Sequence, residues 1–340
     1  MVNQSRARSV TVITALFAVL LVAIVAGVGL GAVSVGPTEV FAAIGRALSG
    51  ESGPVSDAVI IDLRLPRVLL AALVGACLAS AGVLYQAIFR NPLADPYILG
   101  VSSGAGLGAI IAIVSTATAT GLRYGLVPAG AFAGALATIL VVVRLASRRG
   151  RLETTSLLLA GVAISYILAA LTSFIMVLFR QSMASVVFWM MGGLTSASWR
   201  YVGMIAPMFV IGVVVPLLYT RQLNIMLLGD ERASQLGIEV ERFKRITLAF
   251  ASLLVAAAVS VSGLIGFIGL MTPHIVRLIL GPDHRLLLPA STLAGASIMV
   301  FADLLARTAL APIEVPVGIV TALLGGPFFI WLLVRREGVR

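Results

Sequence analysis

An all-α polytopic membrane fold of about ten transmembrane helices is what this sequence predicts, and three observations predict it. Ten strongly apolar stretches recur along the 340 residues, and a hydrocarbon core of roughly 30 Å takes about 20 helical residues to span. Hydrophobic residues make up 60% of the chain and charged residues 11%, too little polar material for a soluble fold to cover its surface. The basic residues concentrate in alternate connections, the pattern of loops retained on the cytoplasmic side.

The first stretch, residues 11 to 33, exceeds a signal-peptide core and is followed by no convincing small-residue cleavage site, so it is expected to be a retained span. Spans follow at 68–89, 96–116, 124–143, 154–179 and 201–220. The uncharged run from Ile246 to Val276 would extend about 46 Å as one helix. That is too far for one crossing, and Gly263, Gly266, Gly269 and Pro273 punctuate it. It therefore divides into a span at 246–265 and a short arm at 266–281, and spans at 286–304 and 315–334 complete the set. RNPLADP at 90–96 reads as a tight cytoplasmic turn, because Pro92 and Pro96 restrict the residues before them. Residues 181–198, with Met183, Trp189, Met190 and Met191, read as an outer interfacial helix whose Trp belongs to the aromatic belt. Gly75, Gly82, Gly100, Gly104, Gly106 and Gly108 are expected to let helices approach closely. A single transmembrane domain, 1–340, accounts for the chain, with 221–245 as a cytoplasmic segment inside it.

With ten crossings and both termini inside, all of the 24 basic residues except Arg46, Arg64, Arg67, Arg123, Arg180, Arg200 and Arg307 fall on the inner side. The net charge of +10 is then topological, and a nucleic-acid partner is not needed to explain it. Membrane lipids are the expected surroundings. Cys77 stands alone in an apolar helix, and His274 and His284 have no recognised zinc or iron spacing, so no metal site and no cofactor are expected. A phosphate-binding loop needs Lys directly after Gly, and the one lysine, Lys244, follows Phe243. The chain is therefore not expected to be an ATPase of that type, nor does any helix pair a nucleophile with a base. No span carries the intramembrane carboxylate pairs of a proton-driven pump. Asp303 and Glu314 lie near outer helix ends close to Arg307, where a local ion network is the simpler role.

The longest polar inner segment is RQLNIMLLGDERASQLGIEVERFKR, residues 221–245. After Gly229, Asp230 and Glu231 fill a first helical turn, favourable for the helix dipole. Ala233, Leu236 and Ile238 give a small apolar face, and Gly237 ends the helix. Such a helix is suited to a partner's groove, or it merely closes the loop.

Four separated motifs carry a family resemblance: DLRLPRVLLAALVGACLASAGVLYQAIFRNPLADPYILGVSSGAGLGA at 62–109, GDERASQLGI at 229–238, GLIGFIGLMTPHIVRLILGPDHRLLLP at 263–289 and PVGIVTALLGGPFFIWLL at 316–333. The chain resembles the FecCD family of ABC-transporter permeases, importers of ferric siderophores, haem and vitamin B12. The resemblance implies the type II importer permease fold and a homodimer, or equivalent paired halves. It also implies two cytoplasmic ABC ATPase subunits and a periplasmic or lipid-anchored substrate-binding protein, in a bacterial cytoplasmic membrane. Arg64, Arg67 and Arg307 match the arginine pockets that receive carboxylates of the binding protein, for which the guanidinium fork is suited; the alternatives are headgroup anchoring for Arg64 and Arg67 and an ion pair with Asp303 or Glu314 for Arg307. The segment Gly229, Asp230, Glu231, Arg232, Ala233, Leu236 and Gly237 matches the coupling helix that sits in the ATPase groove.

Ser165, Tyr166 and Thr172 in the fifth span are candidates for a central dimer pathway, although Ser and Thr also pack helix against helix. The leading expectation is a permease of an ATP-driven metal-chelate importer, for ferric siderophore or haem. Cobalamin is the alternative, with a molybdate-type oxyanion or a secondary transporter behind it.

Overall fold

The computed structural model describes residues 2–31, 35–51, 53–118, 125–148 and 151–337. Among them, seven helices are long and apolar enough to cross a membrane, and three shorter apolar ones, Val101–Thr116, Ile268–Leu280 and Val317–Leu332, accompany them. The ten expected crossings are all present as apolar helices, with different ends.

The chain begins with α1 (Val2–Gly29) and a short surface helix α2 (Pro37–Ser49). The second crossing is expected at 68, but it is helical from Val55: α3 (Val55–Ala58), a π-helical segment (Val59–Arg64) and α4 (Leu65–Phe89) run on continuously. Three of the charged residues in this helix, Asp57, Arg64 and Arg67, find partners within the chain, while Asp62 is exposed. Asp57 is held by a paired guanidinium from Arg46 of α2, at 2.7 and 2.9 Å.

Next come α5 (Val101–Thr118) and α6 (Leu126–Ala146), then a hairpin of β1 (Ser147–Arg148) and β2 (Arg151–Leu152) in the connection to the following helix. The third crossing starts later than residue 96. Asn91 and Asp95 side chains cap successive turns by accepting from the Leu93 and Tyr97 amides, and Gly100 takes a left-handed φ of 77° before the helix starts. After α7 (Thr154–Leu178) come a 3-10 turn and α8 (Met183–Met190). Trp189 is half-buried against the core there, whereas an aromatic-belt position was expected of it, and Phe188 is the exposed aromatic.

Then α9 (Trp199–Leu218), α10 (Thr220–Met226), α11 (Asp230–Gln235) and α12 (Val240–Ser262) follow. The polar segment 221–245 is thus mostly helical, and its last six residues lengthen α12. The predicted break comes at 263–267, where Gly263 and Phe267 both have positive φ. The remainder of the chain forms α13 (Ile268–Leu280), α14 (His284–Thr308) and α15 (Val317–Glu337).

The centre of the bundle is α4, buried along nearly its whole length against α12, α13 and α14. Small residues make this possible: a Cβ at Gly75 would overlap the Gly295 carbonyl, and one at Gly82 the Gly269 carbonyl. Backbones in contact replace the hydrophobic drive that lipid removes. Two buried hydroxyl pairs tie the same helices, Ser80 to Thr292 at 2.7 Å and Tyr85 to Ser252 at 2.8 Å. Gly104 and Gly108 meet Gly134 and Gly130 of α6 in the same way, but Gly106 faces open space and contributes no approach.

Candidate functional site

Two constellations lie at opposite ends of the bundle. At one end Arg64, Arg67 and Arg307 converge on one cavity of about 440 Å³, with Leu63, Gly31 and Glu314 also in its wall. Helical periodicity places Arg64 and Arg67 three residues apart on one face, and α14 brings Arg307 across to them. Each also has partners within the chain. Arg64 is buried and donates through Nη1 to the carbonyls of Val28 and Gly29, at 3.0 and 3.2 Å. These carbonyls end α1, where intrahelical donors run out and a cation is favoured. Arg67 donates from Nε to Asp303 at 3.0 Å and from Nη1 to Glu314 at 3.0 Å. Asp303 is buried between Arg67 and Arg307, whose Nε lies 3.6 Å from it, and the Arg307 guanidinium also donates to the Gly27 carbonyl. Of the two simple alternatives, the ion pair holds for Arg307. Headgroup anchoring does not hold for Arg67, which carries two carboxylates. The accessible parts of this constellation are the cavity mouth and Glu314, the most exposed member of the network.

At the opposite end Gly229, with φ of 104°, turns the chain into α11. Asp230 then sits between two cations: one oxygen accepts from Arg90, in the turn after α4, and the other from Lys244 on α12. Gly237, φ 84°, closes the segment. Glu231, Arg232 and Leu236 are exposed, so they are available to a partner. Ala233 is not: it is fully buried under α11 and serves as the anchor of the helix rather than as part of an outward apolar face. Beside α11 lie two cavities of about 470 and 1120 Å³, sharing Gly237, Ile238, Glu239 and Arg242 in their walls. The hairpin is fastened to the same region, the Leu152 amide donating to Glu241 at 2.6 Å. Asn224 of α10 links to Asp283, which caps α14. Two of these anchors were missed in sequence. Arg90 and Lys244 lie 140 and 14 residues from Asp230, and the one available signal was that Lys244 is the chain's sole lysine.

The candidate pathway residues on α7 separate. Ser165 and Thr172, seven apart, share the inward face: Ser165 donates to its own Gly161 carbonyl and abuts Gly100, and Thr172 is buried. Tyr166 points away, 76% exposed, among exposed Leu159, Val162, Ile167 and Phe174. Among the described residues no group of three His, Cys, Asp or Glu could hold a metal.

The model of the FecCD transport family matches residues 19–335. The chain is 47% identical to a cobalamin import system permease of Halobacterium salinarum over 83% of its length and 75% of that protein's. It is 44% identical to a hemin transport system permease of Yersinia pestis, covering 82% and 84%, and 41% identical to the Fe(3+) dicitrate permease FecD of Escherichia coli, covering 82% and 86%. A solved chain described as an inward-facing conformation of a metal-chelate type ABC transporter superposes with a TM-score of 0.84 at 30% identity, over 96% of this chain and 99% of that one.

Proposed function

The chain belongs to the FecCD transport family, and from that premise we propose that it is the permease of an ATP-driven importer of a ferric siderophore or haem. Family membership carries the coarser statement, a multi-pass permease subunit of an ABC importer. The observation that carries the rest is the pairing of an arginine-lined cavity at one end of the bundle with a pinned, outward-facing short helix at the other. The cavity is the docking surface of a binding protein. Its arginines offer charge to acidic residues of the partner, while Glu314 and Asp303 hold that charge in place until docking. Leu236, Glu231 and Arg232 enter the groove of an ATPase subunit, one copy for each permease. A second permease copy covers the apolar outer face of α7, and Tyr166 lines the path between the two, with Ser165 and Thr172 setting the helix in place behind it. No span holds a dense polar site, which suits a bulky chelate released from a binding protein rather than tightly held on the way.

Cobalamin is the second reading, supported by the 47% identical relative. The test is uptake by proteoliposomes containing the permease with its ATPase and binding protein, offered ferric siderophore, haem and cyanocobalamin side by side. ATP-dependent accumulation of one of the first two is expected. Accumulation of cyanocobalamin alone would transfer the assignment to the second reading, and uptake without ATP would refute the importer class.

A further inference from the structure

At the outer end, away from the arginine cavity, a polar cavity of about 540 Å³ lies between α6, α8, α9 and α12, with Ser185, Ser196, Ser198, Trp189, Tyr201 and Arg200 in its wall. Next to it lies an apolar cavity of about 190 Å³ that shares Pro128, Ser260 and Val261 in its wall and is otherwise lined by residues such as Phe132, Met204, Ile205 and Met208. The apolar part descends along α6 and α9, one to two turns below the polar part, towards the hydrocarbon.

Among the described residues nothing offsets the charge in the upper cavity. Arg200 makes no hydrogen bond or ion pair among the described residues, and its guanidinium lies against Gly125, the residue preceding α6. It also sits in the first turn of α9. Both helices present their N-termini here, and neither has an acidic residue in its first turn. A cation in that position adds to two positive helix ends instead of offsetting them, and no carboxylate lines either cavity. The site therefore calls for an anion carrying a hydrocarbon tail.

We propose that this crevice binds an anionic phospholipid of the outer leaflet, its phosphate against Arg200 and the serine hydroxyls and one acyl chain in the cavity lined by Phe132, Met204 and Met208. The lipid sits at the N-terminal ends of α6 and α9, so it braces these two helix ends against each other.

The test is native mass spectrometry of the full permease released from detergent after exposure to palmitoyl-oleoyl phosphatidylglycerol, with palmitoyl-oleoyl phosphatidylcholine and inorganic phosphate in parallel. Selective retention of phosphatidylglycerol is expected. Arg200→Gln should weaken it about fivefold, the size of one basic group at a charged membrane surface, and Arg200→Lys should retain most of it. Ala129→Phe, which fills the apolar cavity from the exposed side of α6, should weaken retention with the headgroup contacts intact. Equal retention of both lipids, retention unchanged in Arg200→Gln, or displacement of the lipid by inorganic phosphate would each overturn the proposal. Arg200 and Ala129 are both exposed, so the variants fold, and a thermal melt in detergent confirms it.

Discussion

Replacing Asp230 by Asn tests whether the short inner helix is held by charge. The substitution keeps the side chain's shape and removes the carboxylate shared by Arg90 and Lys244. The Arg90 arm is worth little, since its side chain is 37% and that of Asp230 42% exposed, and exposed pairs contribute under about 1 kcal/mol. The Lys244 arm matters more. Its residue is 3% exposed, and stranding a buried charge costs about 3–5 kcal/mol. Because the carboxylate itself is half in water, the lower side of that range is discounted further, to about 2 kcal/mol for the two arms together. That corresponds to roughly 30-fold more frequent opening of the segment. Hydrogen–deuterium exchange of residues 227–239 in the purified complex should accelerate by about that factor, with exchange in α4 unchanged. Transport should fall with it. Asp230→Asn combined with Lys244→Met removes the stranded ammonium and should recover most of the protection, since replacing both partners is far cheaper than removing one. Unchanged exchange in the single variant, or an additive loss in the double one, would refute the clamp.

Three further outcomes are expected. Leu236→Cys in a Cys77-free background should cross-link to the ATPase subunit, whereas Ala233→Cys, being buried, should not; labelling of Leu236→Cys by an impermeant reagent in intact cells would overturn the orientation. Glu314→Gln removes one of the carboxylates that Arg67 carries and should tighten docking of the binding protein several-fold at low salt, with the gain shrinking as salt rises; an unchanged affinity would leave the network purely structural. Asp283, whose burial is outweighed by hydrogen bonds from Asn224 and the Arg285 amide, titrates below the ordinary 3.8. Its contribution is thus complete above that value and lost as pH falls through the lowered folded-state pKa, so Asp283→Ala should cost about 1 kcal/mol at neutral pH and much less under strong acid, as read by thermal melts across pH.

Local chemistry was legible from residues alone. Apolar length set the ten crossings, and Gly263 with its neighbours marked the break, because a glycine-rich interruption in an overlong apolar run has few other outcomes. Gly229 and Gly237 bounded α11 correctly since both positions need a left-handed backbone. The absence of a Gly-Lys pair ruled on the phosphate-binding loop without any structure. What only the tertiary structure decided is who meets whom across long stretches of chain. Arg67 and Asp303 are 236 residues apart, Arg90 and Asp230 140, and no periodicity links them. Helix starts moved for the same reason: Val55 to Leu65 is helical because Arg46 and the end of α1 supply partners for Asp57 and Arg64. A span's hydropathy is nearly uniform around its circumference, so it does not say which face meets protein and which meets lipid. Ser165 and Tyr166 are therefore equivalent in the sequence and opposed in the fold, as are Ala233 of α11 and Leu236 just after it, where packing chose the buried side.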